Sequence, residues 1–272
     1  MFNFFIDTAD TQYIKKIKST FGGEGIFSNL KGITTNPNAM SKINRHSLRE
    51  WEEILPTLCE LVSEMRQDDK GEVHIQAPSS AMTGDAVLSF AQHIHSFTDG
   101  NTKLALKIPP SLTVLKKTPE IQQIMPVNVT GLADCSTALS CLLYNVDYVS
   151  IIPGRMEEAG INADEHLLYL TRRNNRGEII TGSMRTLDGL IRAILAATTP
   201  TIGVRVWDKI IEEELNLKTL EEKDYLAEFQ LQETTPLAFS PRVSDKNMSL
   251  SISFFDEMDA LGEKSYEEFC LL

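Results

Sequence analysis

The chain has 272 residues, of which 42% are hydrophobic and 24% are charged, and its formal net charge is −12. This composition is typical of a globular protein and is long enough for one large α/β barrel or for two smaller domains. The acidic balance, with a pI near 4.9, argues against binding to nucleic acid or to an anionic membrane surface.

The N-terminal sequence and the cysteines indicate the compartment. No apolar run approaches the roughly 18 residues of a membrane-spanning helix, and the first segment, MFNFFIDT, already carries a charge. We therefore expect a cytoplasmic protein without a leader. Cys59, Cys135, Cys141 and Cys270 form no CxxC pair and have no histidine at zinc-finger spacing. The sequence thus predicts reduced structural thiols and no metal site.

Eight short β-rich segments alternate with helical patterns in the first 210 residues. The predicted strands span residues 3–7, 32–36, 73–77, 103–109, 125–131, 148–154, 178–183 and 201–206. Apolar residues at helical spacing predict helices at residues 11–21, 48–65, 85–97, 136–145, 164–174 and 186–197. This alternation favours a (β/α)8 TIM barrel of residues 1–210 over an open doubly wound sheet.

Residues 211–272 are predicted to form an acidic extension of this barrel. The composition of residues 234–247 is loop-like, whereas residues 254–269, FFDEMDALGEKSYEEF, have a helical pattern. We expect this terminal helix to pack either across its own barrel or on a neighbouring subunit. The sequence leaves these two alternatives open.

Two local patterns predict no binding site. GGEG at residues 22–25 lacks the spacing of a dinucleotide-binding loop, and no GxxxxGK[ST] motif occurs. The basic cluster RRNNR at residues 172–176 is followed by a glycine, as at a solvated helix end.

The strand segment KLALKIPP, residues 103–110, places Lys107 between two apolar residues. A lysine in a buried parallel strand must find a partner or lose its proton, because burial disfavours the charged form. A neutral lysine amine attacks carbonyl groups. Lys107 is therefore a candidate Schiff-base nucleophile. The alternative is a strand-end lysine whose stem reaches solvent.

Polar residues also gather where the other predicted strands end, which is the face on which TIM barrels carry their active sites. The set comprises Asp7, Thr34, Thr35, Asn36, Gln76, Lys107, Asn128, Thr130, Ser150, Arg155, Ser183 and Arg185. Each of these has an ordinary alternative as a helix cap, a turn residue or a member of a surface ion pair. Arg205, at the predicted end of the eighth strand, is expected to have a structural role.

Seven sequence blocks carry a resemblance to a known family. They are IDTAD (6–10), GITTNPN (32–38), IQAP (75–78), LALKIP (104–109), PVNVTG (126–131), SIIPGR (150–155) and TGSMRT (181–186). In this order, over about residues 3–207, the chain resembles the transaldolase family, which includes the smaller fructose-6-phosphate aldolases. The resemblance implies transfer of a dihydroxyacetone unit from fructose 6-phosphate or sedoheptulose 7-phosphate to an aldose phosphate, through a lysine Schiff base. It further implies sugar-phosphate metabolism such as the pentose phosphate pathway, no metal or organic cofactor, and assembly as a homo-oligomer.

The resemblance also implies a role for each matched residue. Lys107 would form the Schiff base, Asp7 would act as general acid and base, and Gln76 and Thr130 would hold a water molecule. The bound ketone unit would be contacted by Thr34, Asn36, Asn128, Ser150 and Ile152, and the phosphate by Arg155, Ser183 and Arg185.

Two departures leave the reaction open. Gln76 matches the fructose-6-phosphate aldolases, whereas transaldolases proper carry a glutamate, and glutamine cannot accept a proton from water. Ile152, followed by Pro153, stands where the aldolases have a tyrosine and the transaldolases a phenylalanine, which disfavours hydrolytic release. The alternatives are therefore an aldolase that releases dihydroxyacetone, an enzyme with a different acceptor, and a non-catalytic barrel that serves as a binding module.

Overall fold

Eight parallel strands close into a barrel in which every strand pairs with its neighbours in sequence order. The computed structural model describes residues 2–22, 26–66, 71–98, 102–213 and 243–272. The strands are β1 (Phe4–Asp7), β2 (Leu30–Thr34), β3 (Glu72–Gln76), β4 (Lys103–Ile108), β5 (Val127–Leu132), β6 (Tyr148–Ile151), β7 (Glu178–Thr181) and β8 (Thr199–Gly203). The (β/α)8 TIM barrel predicted from the sequence is thereby confirmed.

Helices surround the barrel and cover one of its ends. They are α1 (Thr11–Phe21), α2 (Pro37–Ser41), α3 (Leu48–Arg66), α4 (Gly84–His95), α5 (Leu112–Leu115), α6 (Thr118–Ile121), α7 (Cys135–Leu142), α8 (Pro153–Glu158), α9 (Ala163–Arg173), α10 (Leu187–Leu195), α11 (Val204–Glu212) and α12 (Asp245–Phe269). The six helices predicted within the barrel correspond to α1, α3, α4, α7, α9 and α10. The helical pattern did not predict α2, α5, α6 and α8, which have four to six residues each and are too short to show a period.

Two hydrophobic clusters stabilise this arrangement. The larger lies between the strands and the surrounding helices, where the fully buried Trp207 packs 6.0 Å from the Phe4 ring and 5.6 Å from the Phe21 ring. The smaller lies inside the barrel and consists of Phe5, Ala105, Tyr148 and Ile180. The apolar part of the barrel interior is therefore small, and polar side chains fill much of the remainder.

The eighth strand differs from the sequence prediction. It spans Thr199–Gly203 rather than 201–206, because Val204 begins α11. The alternation in TIGVRV suggested a strand, but Val206, Trp207 and Ile210 share the buried side of a helix. Arg205 consequently lies in the first turn of α11 and not at a strand end. This helix continues to Glu212, beyond the boundary at residue 210 that the sequence suggested.

The C-terminal helix is longer than predicted and begins at Asp245, not at residue 254. Its N-terminus is fixed by Asn247, whose Oδ1 accepts hydrogen bonds from Ser244 N at 2.9 Å and from Ser244 Oγ at 2.8 Å. Most of the predicted loop at 234–247 lies outside the described residues. Within the part of the chain that the structure describes, no helix is both long and apolar enough to cross a membrane.

Helix α12 extends over loops that follow the carboxyl ends of several strands. Asn247 Nδ2 donates to Ala133 O after β5 at 2.6 Å, and Ser265 Oγ donates to His46 O before α3 at 2.6 Å. Between these points, Asp259 accepts hydrogen bonds from Ser80 N at 2.7 Å and from Ser80 Oγ at 2.6 Å. Three separate anchors therefore hold the helix across the open end of the barrel.

Candidate active site

Lys107 lies inside the barrel near the carboxyl end of β4 and is 6% exposed. Its Nζ donates to Thr34 Oγ1 at 3.3 Å and to Thr35 O at 3.1 Å, which are both neutral acceptors. Burial lowers the pKa of Lys107 to about 8, although the nearby Asp7 acts in the opposite direction. About a tenth of the amine is therefore neutral at pH 7, far more than for an ordinary lysine.

Asp7 ends β1 and is partly buried in the pocket above Lys107. The side chain that caps α1 is Asp10, whose Oδ1 accepts from Gln12 N at 2.9 Å and from Tyr13 N at 3.0 Å. Asp7 is therefore not used as a helix cap, and its Oδ2 accepts a hydrogen bond of 3.4 Å from Thr201. Burial raises the pKa of Asp7 against the opposing influence of Lys107, which suits a group that exchanges protons with a ligand.

The strands that flank β4 bring two further predicted residues next to Lys107. In the sheet register Gln76 pairs with Lys107, and Lys107 pairs with Asn128. Thr130 follows two residues later on β5 and shares the inward face of Asn128. Gln76 is buried, and its Oε1 has no hydrogen-bond partner among the described residues. Gln76 Oε1 is therefore an unused hydrogen-bond acceptor close to Lys107.

A chain of buried hydrogen bonds continues from this row toward the other end of the barrel. Ser150 Oγ donates to Asn128 Oδ1 at 2.8 Å, and Asn128 Nδ2 lies 3.1 Å from His74 Nδ1. His74 Nε2 lies 3.0 Å from Glu72 Oε2, which also accepts a hydrogen bond of 2.6 Å from Tyr148 OH. Two predicted site residues, Asn128 and Ser150, are thus tied to three residues that the sequence analysis did not select.

The protonation states of His74 and Glu72 in this chain of hydrogen bonds follow from their burial and their partners. Burial lowers the pKa of His74, so that the ring is neutral, with Nε2–H donating to Glu72 and Nδ1 accepting from Asn128. For Glu72, burial acts to raise the pKa, but the hydrogen bonds from His74 and Tyr148 and nearby positive charge outweigh it and lower the pKa. The network fixes the orientation of the Asn128 amide, which retains a second N–H for a ligand.

A pocket opens at the carboxyl end of the barrel and collects five of the predicted residues. They are Asp7, Asn36, Arg155, Ser183 and Arg185. Asn36 also caps α2, because its Oδ1 accepts from Ala39 N at 2.9 Å. The other predicted residues are buried deeper. Among them, Ile152, which is 2% exposed, packs in the larger hydrophobic cluster.

Close backbone packing brings Arg155 next to the Ser183–Arg185 segment. A Cβ atom at Gly154 would lie 2.0 Å from Ser183 O, so only glycine allows this approach. Ser183 itself has a left-handed backbone with φ of 57°, an arrangement that stores strain and is concentrated at functional sites. Pro153 occupies the first turn of α8, where its fixed φ fits the helix.

Arg155 and Arg185 each contact a carboxylate. Arg155 donates to both oxygens of Glu257 on α12, at 2.7 Å and 3.1 Å. Arg185 Nε lies 3.3 Å from Glu158 Oε1, and the terminal nitrogens of Arg185 form no hydrogen bond with the residues that the structure describes. The two cations predicted to bind phosphate thus differ in how freely they face the pocket.

Several pocket residues were not predicted from the sequence. Lys42, Arg205, Phe254 and Met258 line the pocket, and Arg205 had been expected to be structural. A sequence signal existed only for Arg205, which is an arginine near the end of a barrel strand. Phe254 and Met258 reach the pocket from α12, more than 40 residues beyond β8, so no local pattern could place them there.

The thiols and possible metal ligands contribute no further site. Burial raises the pKa of Cys135 to about 11 and that of Cys141 to about 12, so both thiols are unreactive near neutral pH. Among the described residues, no group of three or more His, Cys, Asp and Glu side chains could hold a metal ion.

Comparison with known proteins identifies the family. The model of the family described as transaldolase/fructose-6-phosphate aldolase matches residues 4–236. The chain belongs to this family. It is 28% identical over 190 residues to a "Probable transaldolase" of Streptococcus equi subsp. equi, with 67% of this chain and 77% of the relative covered. A "Probable transaldolase" of Streptococcus pyogenes serotype M5 is 28% identical over 188 residues, with the same coverage. Family and relatives together indicate a transaldolase-type enzyme.

Solved structures give weaker likenesses. A structure described as native KDPGal has a TM-score of 0.44 and 11% identity, and covers 98% of this chain and 95% of its own. A cube-shaped designed protein cage has a TM-score of 0.49 and 9% identity, and covers 94% of this chain and 81% of its own.

His74→Phe is expected to destabilise the fold strongly. The substitution removes a hydrogen bond from the buried Glu72 carboxylate and the acceptor of Asn128. Because the charged Glu72 carboxylate and the Asn128 amide each lose a buried hydrogen-bond partner, the free energy of unfolding should fall by about 3–5 kcal/mol in total. Chemical denaturation of the native chain and the variant measures this loss.

His166→Phe is the matched control. The buried ring of His166 accepts a single hydrogen bond of 3.3 Å from Cys135 N and makes none with a carboxylate in the described part of the chain. Its loss should be about 1–3 kcal/mol. Equal losses in the two variants, or no recovery when Glu72→Gln is added to His74→Phe, would contradict the proposed ionisation of Glu72.

Proposed function

We propose that the enzyme transfers a dihydroxyacetone unit from a ketose phosphate, such as fructose 6-phosphate or sedoheptulose 7-phosphate, to an aldose phosphate through a Schiff base on Lys107. The observation that carries the proposal is the environment of Lys107. It is buried, it donates only to Thr34 and Thr35 among the described residues, and its pKa is lowered to about 8. A desolvated amine of this kind is suited to attack a ketone.

The first step joins Lys107 to the donor. The neutral Nζ adds to the ketone carbon C2, and loss of water from the resulting carbinolamine gives a protonated imine. Thr130 and the carboxamide of Gln76, whose Oε1 is unpaired, are positioned to hold the water. Each offers hydrogen bonds, but neither is a strong base, so they orient the water and do not ionise it.

Cleavage then requires a base for a substrate hydroxyl. As Asp7 removes the proton from the C4 hydroxyl, the C3–C4 bond breaks, its electrons pass into the imine, and an aldehyde leaves. The raised pKa of Asp7 supports this role, because the carboxyl group holds the proton until the acceptor aldehyde needs it back. Addition of the enamine to that aldehyde and hydrolysis of the new imine release the product and free Lys107.

Polar groups of the inner barrel would bind the three-carbon unit, and the mouth would bind the phosphate. Asn128 and Ser150 form a mutual hydrogen bond that leaves an Asn128 N–H and a Ser150 oxygen lone pair for the ketone hydroxyls. At the mouth, Arg185, Ser183 and Arg155 surround the pocket, and planar guanidinium groups match phosphate oxygens.

Lys107→Met should abolish formation of a covalent adduct. With fructose 6-phosphate and borohydride, the native chain should gain the mass of one reduced three-carbon unit at Lys107, because reduction traps the imine. Lys103→Ala, which removes the exposed lysine at the start of the same strand, should leave trapping unchanged. Intact-mass measurement followed by peptide mapping identifies the modified lysine. No adduct on the native chain would refute the Schiff-base proposal.

The rate of trapping should depend on pH in a defined direction. Below about pH 8 the amine of Lys107 is protonated and has no lone pair, so the second-order rate constant should rise about tenfold per pH unit and level off above pH 8. The initial rate of adduct formation at low donor concentration measures this profile. A midpoint near 10.5, the ordinary value for lysine, would show that Lys107 is not desolvated in solution.

The second candidate function is an aldolase that releases dihydroxyacetone to water. The free acceptor atom of the buried Gln76 favours it, because that atom can hold a water molecule beside the lysine. Against it, Ile152 has no hydroxyl group and is packed in the hydrophobic cluster. An enamine that is protonated slowly persists until an acceptor aldehyde arrives, which is the condition for transfer.

Product analysis separates the two functions. With fructose 6-phosphate alone, the transferase should form about one equivalent of glyceraldehyde 3-phosphate per active site and then stop, since the retained enamine blocks Lys107. Erythrose 4-phosphate should restore continuous turnover without free dihydroxyacetone. Release of dihydroxyacetone at the turnover rate without an acceptor would instead establish the aldolase.

A further inference from the structure

The Arg155 guanidinium is already occupied by an acidic side chain of the protein. Each of its two terminal nitrogens donates to a different oxygen of Glu257, at 2.7 Å and 3.1 Å. The guanidinium also lies 5.1 Å from the Phe254 ring centroid, one turn earlier on the same helix. The Arg155 side chain is only 14% exposed, so little of its surface remains accessible.

The backbone of Glu257 is held by anchors on both sides, whereas its side chain is partly exposed to solvent. Asn247 anchors α12 ten residues before Glu257, and Asp259 anchors it two residues after, through hydrogen bonds to Ala133 and Ser80. The Glu257 side chain itself is 42% exposed. It can therefore rotate into solvent while the helix stays in place.

A phosphate group at Arg155 would require the same donors. A guanidinium binds a carboxylate and a phosphate through the same pair of parallel N–H groups, so one Arg155 fork cannot hold both. The two anions would also repel each other at this distance. Arg185 and Lys42 also act electrostatically on Glu257, so the carboxylate lies within the positive field of the pocket.

We propose that Glu257 is a specificity-determining residue that competes with the substrate phosphate for Arg155. This inference rests on the proposed function, in which Arg155 takes part in binding a sugar phosphate. A phosphorylated donor must displace the Glu257 carboxylate, whereas an unphosphorylated ketose leaves the ion pair intact. Glu257 thereby weakens binding of the phosphate. It also narrows the difference in kcat/KM between phosphorylated and unphosphorylated donors.

Glu257→Gln tests the competition, because it removes the charge and keeps the shape of the side chain. The KM for fructose 6-phosphate should fall about three- to fivefold, as expected when a partly exposed ion pair no longer competes. The kcat/KM for fructose, which has no phosphate, should stay within about twofold. Titration calorimetry with inorganic phosphate should show a similar gain in affinity, about three- to fivefold, without any turnover.

Two further variants locate the effect. Glu263→Gln removes a charge from an exposed position of the same helix. It should change neither the KM for fructose 6-phosphate nor the affinity for phosphate, which controls for the altered net charge. Adding Arg155→Ala to Glu257→Gln should eliminate the gain in phosphate affinity. The inference is overturned if Glu257→Gln leaves phosphate affinity unchanged. It is also overturned if the substitution weakens binding, because Glu257 would then hold Arg155 in position for the phosphate.

The proposed function and this inference can fail separately. If no adduct forms on Lys107 while Glu257→Gln still binds phosphate more tightly, the Schiff-base function fails and the competition stands. If the adduct forms and phosphate affinity does not respond to Glu257→Gln, only the competition fails.

Discussion

The burial of the Lys107 amine is the constraint on which the polar interior of the barrel depends. The pKa of the amine can stay near 8 only if no carboxylate forms a hydrogen bond with it, because a close ion pair would raise the pKa again. Yet Glu72 lies four residues before Gln76 on the adjacent strand, inside the same barrel. Glu72 pairs in register with Lys103, and its carboxylate accepts hydrogen bonds from His74 and Tyr148. The positive charge of Lys107 in turn helps to keep His74 neutral.

Helix α12 both covers the mouth of the barrel and adds a negative charge to it. The helix contributes apolar cover through Phe254 and Met258 and a carboxylate through Glu257, all within five residues. Two glycines allow its close approach. A Cβ atom at Gly262 would lie 2.2 Å from Pro78 O, and one at Gly131, which has a φ of +74°, would lie 2.7 Å from Phe254 and Phe255. The local βα units therefore form the barrel, but a distant segment completes its pocket.

The sequence predicted the parts of the molecule that depend on local pattern. The strands, six of the helices and the grouping of polar residues at strand ends follow from short-range periodicity and from the matched motifs, whereas the start of α11 was predicted as part of the eighth strand. The β3 segment EVHIQ alternates polar and apolar residues, which is unusual in a strand covered on both faces and would have indicated Glu72 and His74. By contrast, the ion pair of Arg155 with Glu257 joins residues 102 positions apart, and only the packing of α12 determines it.

The net charge of the protein would have little influence on the binding of a phosphorylated substrate. With a net charge of −12, the surface should repel a dianion, but ions screen exposed charges beyond about 8 Å at physiological salt. Charges within that distance of the bound phosphate dominate. There, Lys42, Arg155, Arg185 and Arg205 face the pocket, while Glu257 and Glu158 each engage one arginine. With Asp7 also lining the pocket, the field at a bound phosphate would be set by these nearby charges, so a single residue on α12 would alter it more than the acidic surface does.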